Sequence, residues 1–314
     1  MSAGHCDRLL DIAYLNFGLS TFWTIFGGYW LLNTWWWHQR NSSALHKALF
    51  AMLVLRALCD LLTGLLFTTC PFTGGFVMYL TLAVNTSFTL SCTLQYTCLL
   101  LIAKGFGVSR HTLERREISE LVTALVVTYL GFSAYNLQPT ILGPMALGLL
   151  CGLFCLTLFY TVKTLRKIEL QIASYRQHDI PQLIVPTALK WQVVHKFYYL
   201  AMPFFLVKIA HMSASEVIVK WFNEAMFDWY LWGDLVGGVL EAVLLGAILA
   251  LIRARELSPY SSLDYSHDLV FSPMVKGLLG SKASKRIPPK TPVVVVIGPL
   301  TGLYGGVEIG FPEQ

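Results

Sequence analysis

Charge is scarce in this chain. Asp, Glu, Lys and Arg make up only 13% of its 314 residues, hydrophobic residues make up 55%, and the mean hydropathy is +0.58. A soluble domain of this length would keep far more apolar surface in water than it could hide, so the composition excludes an ordinary water-soluble fold. Catalytic signatures are missing as well. There is no His-Glu-x-x-His, no Gly-x-Gly-Asp of the kind used by intramembrane aspartyl proteases, no phosphate-binding glycine loop and no histidine cluster that could hold a catalytic zinc. The expectation is a protein that is not an enzyme and carries neither metal nor cofactor. A retinal pigment needs a lysine on its last span, and the last apolar stretch here has none. The Pro181-Gln182 pair falls between the fifth and sixth stretches, so the proline-glutamine motif of small sugar transporters is not matched. The start also lacks the short apolar core and small-residue cleavage pattern of a secretory signal, and the first stretch is expected to act as its own insertion signal.

What fills the chain is apolar sequence. A helix needs roughly 20 mainly apolar residues to cross a hydrocarbon core about 30 Å thick. Seven stretches qualify: Ile12 to Trp36, Ala44 to Phe67, Phe76 to Ala103, Ile118 to Asn136, Ile141 to Val162, Phe197 to Ile218 and Phe227 to Ile252. The first, third and fifth connections, counted with Lys47 at the start of the second stretch, and the segment after Ile252 hold 19 of the 23 Lys and Arg, while the second and fourth connections hold none. Basic residues near span ends stay on the cytoplasmic side. The reading is therefore a seven-transmembrane helix bundle, N-out and C-in, with a short luminal or extracellular segment (1–11), the bundle (12–252) and a cytosolic, largely disordered tail (253–314). The net charge of +5 then lies beside anionic headgroups, so membrane lipids are the expected partners and nucleic acid is not.

Trp30, Trp35, Trp36 and Trp37 crowd one end of the first stretch, as expected of an interfacial aromatic belt. Leu165, Ile168, Ile172 and Tyr175 recur at helical spacing past the fifth stretch, which predicts an amphipathic continuation ended by Pro181 and Pro186. Gly148 and Gly152, and Gly233 and Gly237, have the four-residue spacing that lets membrane helices approach closely, with packing inside one bundle favoured over dimerisation. Asn85 begins a glycosylation sequon inside the third stretch and Asn41 one on the cytosolic side, so neither is expected to be used. Five cysteines fall inside spans; Cys6 and Cys70 are the pair available for a disulfide on the outer side.

Charges inside a membrane are costly, face the bundle interior and partner one another. Arg56 and Asp60 stand one helical turn apart in the second span, Lys208 and His211 lie near the middle of the sixth, and Asp234 and Glu241 share a face of the seventh. Depth counted along each helix predicts a polar core linking spans two, six and seven. Two readings stand open: an ion-pair cluster that fixes the helix arrangement, or the lining of a ligand or ion cavity.

The run LLLIAKGFGVSRHTLERREI, with Gly105, Gly107 and Arg110, resembles the Gly-aromatic-Gly-Val-x-Arg signature that closes the third span of the Golgi-localised and lung seven-transmembrane receptor-like families, the intimal-thickness-related branch included. TVKTLRKIELQIASYR is similar to their exit from span five, and LIRARELSPYSSLD to their terminal Arg-x-Arg followed by Ser-Pro-Tyr. The resemblance implies a rhodopsin-receptor-like bundle working in Golgi and endosomal membrane traffic or in orphan-receptor-like signalling, at internal membranes rather than the plasma membrane. Cytosolic trafficking or signalling proteins would be its partners at the basic loops and tail. These families place a folded luminal domain before the first span, a position occupied here by only about ten residues. Tyr260 and Leu263 fit the tyrosine-x-x-bulky-apolar pattern read by clathrin adaptors. A channel or transporter using the charged core is the competing expectation.

Overall fold

The computed structural model describes residues 3–37, 43–70, 75–109, 113–177, 181–221 and 227–253; side chains are not described at 3–9, 139–140, 181–183, 215–221 and 227–235. Among the described residues the chain is helical: α1 (Ala3–Leu31), continued by a π-helical turn (Leu32–Trp37), α2 (Ala44–Thr68), α3 (Gly75–Ala103), α4 (Arg115–Leu137), α5 (Pro139–Gln177), α6 (Pro181–Trp221) and α7 (Phe227–Ile252). Five of them, α2 to α6, are long and apolar enough to cross a membrane, and Val236–Ile252 of α7 forms a shorter apolar helix. This is the make-up of a multi-pass membrane protein. The outer surface agrees, since Val122, Val126 and Leu130 of α4 lie exposed in a row, Leu130 by 59%. Such a face has no place in water and is ordinary against lipid.

Consecutive helices pack against each other, and α1 also meets α7, closing a ring. Inside it α3 touches α2, α4, α5 and α6 and is the most buried of the five long apolar helices. Its buried side carries hydroxyls rather than bulk. Thr89, Thr93 and Thr97 each donate to the carbonyl four residues earlier, at 2.9, 2.7 and 2.7 Å. With no water in the bilayer core, this back-bonding satisfies the hydroxyls inside the helix that carries them. Around α3 the core is aromatic: Tyr96 stacks on Phe132 and on Phe205, with centroids 5.7 and 5.9 Å away.

α5 and α6 contain 39 and 41 residues, so each runs about 60 Å at 1.5 Å per residue, twice the hydrocarbon thickness. The predicted continuation past the fifth span is present, with Ile168 buried. Beyond it Trp191 Nε1 donates to Glu169 Oε1 at 3.1 Å, and the Trp191 ring stacks on His195. The prolines act differently from the expectation. α5 is described as far as Gln177, and Pro186 lies inside α6 rather than ending the helix before it.

Two expectations about packing are corrected. Trp30 is not part of the interfacial belt: it is 1% exposed, and its Nε1 donates to the His46 carbonyl at 3.1 Å. Trp35, Trp36 and Trp37 are the exposed members. Gly148 and Gly152 do not seat a neighbouring helix, because nothing lies within 4 Å of a Cβ built on either. Close approach occurs instead at Gly64, where an added Cβ would fall 2.8 Å from a Phe17 ring carbon, and at Gly237, where one would fall 2.7 Å from His211 Cδ2.

Candidate functional site

The middle of the bundle brings together charges from three helices. Arg56 Nε lies 3.5 Å from Asp60 Oδ1, one turn on along α2, and Arg56 Nη1 lies 3.5 Å from Glu241 Oε1 on α7. Lys208 Nζ of α6 contacts the other carboxylate oxygen of Glu241. The helical period sets the first pair, since residues four apart share a face. Glu241 is 3% exposed, and each of its oxygens meets a different cation. The four formal charges sum to zero, the condition under which ionised groups can stay buried in a medium that solvates them poorly.

A fifth member has no charge. Gln95 Nε2 of α3 donates to Glu241 Oε1 at 3.1 Å. It was missed from the sequence because an amide among threonines and cysteines breaks no hydropathy pattern; its position near mid-span was the available signal. The cluster is not fully satisfied. Asp60 Oδ2 and Arg56 Nε are buried without a hydrogen-bond partner among the described residues.

Other candidate residues fall elsewhere. The His211 ring packs on Gly237 of α7, on the helix that carries Glu241. Gly105 and Gly107 form the end of α3, with φ of 78° and 73°. Gly105 N–H donates to the Ile102 carbonyl at 2.8 Å and Phe106 N–H to the Leu101 carbonyl at 3.0 Å, the paired bonds of a Schellman cap, with glycine where a left-handed residue is required. Gly107 then lets the chain lie on Ser43 and Leu45 at the start of α2. The two glycines therefore terminate a helix and dock a connection. Cys70 is disulfide-bonded, and Cys59, Cys92, Cys98, Cys151 and Cys155 are free. Arg110, Tyr260 and Leu263 lie outside the described residues, as do the side chains of Cys6 and Asp234.

Two polar features escaped the sequence reading. Lys104, one of the basic residues of the third connection, is 3% exposed; its Nζ bonds Glu120 Oε2 at 2.9 Å and sits 4.3 Å over the Tyr160 ring. His46 fastens two helix ends. Its Nδ1 accepts from the Ser43 N–H at 3.2 Å and its Nε2 lies 3.1 Å from the Ile252 carbonyl, so the neutral tautomer protonated at Nε2 serves both. One ring thus satisfies an orphan amide at the start of α2 and an orphan carbonyl at the end of α7.

Comparisons with known protein families, with curated proteins and with solved structures found no match to this chain.

Proposed function

We propose that this chain is a receptor-like seven-span protein of Golgi and endosomal membranes, acting in membrane traffic or orphan-receptor-like signalling through its basic cytosolic connections and tail. The observation that carries this reading is the mutual pairing of Arg56, Asp60, Lys208 and Glu241. Charges that neutralise one another across α2, α6 and α7, with α3 joined through Gln95, couple helix positions; a conduction path would need them turned toward a permeating ion. The ring closed by α1 and α7 around α3 and the receptor-like run from Leu99 to Ile118 support the same reading.

The test has two arms. A tagged full-length chain is expected at internal membranes, with Tyr260→Ala moving it toward the cell surface, and proteoliposomes holding the purified protein are expected to pass no ions. The alternative, a transporter, draws on Asp60 Oδ2, a buried acceptor without a partner among the described residues. Flux that disappears in Glu241→Gln would replace the receptor-like reading with that one.

A further inference from the structure

A partly open cleft of about 470 Å³ lies between α3, α4 and α5, a volume in the range of small-molecule sites. Its walls are aliphatic: Leu100 of α3, Leu121 and Val127 of α4, and Leu149, Leu153 and Leu156 of α5. Gly152 sits within the α5 wall, and nothing lies within 4 Å of the position its Cβ would take. Its missing side chain therefore leaves open space.

One end of the cleft is polar. Lys104 Nζ donates to Glu120 Oε2 at 2.9 Å and to the Glu117 carbonyl at 3.2 Å, while the Tyr160 hydroxyl donates to the same Oε2 at 2.8 Å. Both donors meet the same carboxylate oxygen. Among the described residues Oε1 meets only Arg116 Nε, at 3.6 Å, which is too long for a hydrogen bond. A carboxylate with an open acceptor site suits a ligand that donates a neutral hydroxyl.

Depth fixes the size of the ligand. From Tyr160 to Leu149 the α5 wall runs eleven residues, about 16 Å, or half of the roughly 30 Å hydrocarbon core. The polar end lies at the membrane boundary, since Arg116 stands in the first turn of α4 and Lys163, Arg166 and Lys167 follow Tyr160 on α5. An occupant must then span one leaflet, carry one small hydroxyl head and hold an otherwise apolar body. A diacyl phospholipid has two chains and a charged head. A rigid ring system gives up little conformational freedom on binding. We propose that this cleft binds a sterol, its hydroxyl donating to Glu120 and its rings lying along the α5 wall beside Gly152.

The test uses the full chain in phosphatidylcholine nanodiscs with a sterol carrying a photoactivatable diazirine. The expected result is labelling of peptides 119–127 and 149–160, competed by excess unlabelled sterol. Gly152→Leu, which fills the open space, is expected to cut labelling at least tenfold. Gly148→Leu, also without a neighbour within 4 Å but absent from the cleft lining, is expected to leave it unchanged. Glu120→Leu is expected to lower it further than Glu120→Gln. The competition arm needs no variant and stands even if a variant fails to fold. Label spread evenly over lipid-facing peptides, label that unlabelled sterol does not displace, undiminished labelling in Gly152→Leu, or stronger capture of a diacyl phospholipid probe would each overturn the proposal.

Discussion

Gln95 Nε2 donates to Glu241 Oε1 at 3.1 Å, so an uncharged amide of α3 steadies a carboxylate that already holds two cations. Removing the amide and removing the carboxylate are therefore expected to differ. Glu241→Leu leaves Arg56 and Lys208 buried opposite Asp60 alone, and breaking a buried ion pair from one side costs about 3–5 kcal/mol. Gln95→Leu loses one bond to a charged acceptor, about 1–2 kcal/mol, with polar contacts between membrane helices often smaller. Thermal melting of the detergent-purified variants checks the order. Equal losses would mean that the two cations are not held by Glu241.

Glycine-to-alanine exchange is expected to change sign along the chain. At Gly105, with φ at 78°, a Cβ would also meet Ser109 Oγ and Thr164 Cγ2, so Gly105→Ala is expected to lower stability by more than the ~1 kcal/mol typical of a left-handed alanine. At Gly148 the helix is ordinary and the space open, and alanine is favoured there by up to about 1 kcal/mol. Melting temperatures moving the same way in both variants would contradict the assignment of Gly105 as a helix-ending residue.

The helices were legible because apolar length is a local signal. So was the Arg56 and Asp60 pair, whose spacing is set by one helical turn. Long-range partners were legible only through depth: counting residues placed Lys208 level with the region between Asp234 and Glu241 and Arg56 nearer to Glu241, whereas nothing local marked Gln95, 146 residues away from its acceptor. The surroundings of Lys104 were not legible for a related reason. The lysine falls just past an apolar stretch, and only the packing of α3 on α4 and α5 brings Glu120 and Tyr160 to it. Trp30 shares its stretch with the exposed tryptophans but points inward to His46. Gly148 and Gly152 carried a small-residue pattern, yet among the described residues nothing lies within 4 Å of a Cβ at either.

His46 is expected to behave as a double cap. His46→Phe keeps a ring of similar size while removing the bonds to the Ser43 amide and the Ile252 carbonyl. Two net hydrogen bonds at about 1 kcal/mol each predict a loss near 2 kcal/mol. Freeing the end of α7 is also expected to speed amide hydrogen exchange in its last turn, while the α3 core stays protected. Unchanged exchange at residues 248–252 would remove His46 as the fastening of α7.

The side each connection is expected to face follows from where lysine and arginine are missing. The segment between α2 and α3 and the one between α4 and α5 hold none, whereas the segment after Ile252 holds seven. Because basic residues near span ends are retained in the cytoplasm, a glycosylation acceptor inserted between Pro71 and Gly75 is expected to be modified, and a reporter fused after Gln314 is expected to stay cytosolic. The two readouts are independent, since one tests a short connection and the other the parity of the whole bundle. Cys70, disulfide-bonded at the end of α2, fits an oxidising side for the same connection. An unmodified acceptor together with a protease-protected reporter would invert the orientation; a modified acceptor with a protected reporter would instead mean an even number of crossings. Only a modified acceptor with an accessible reporter agrees with seven crossings oriented N-out and C-in.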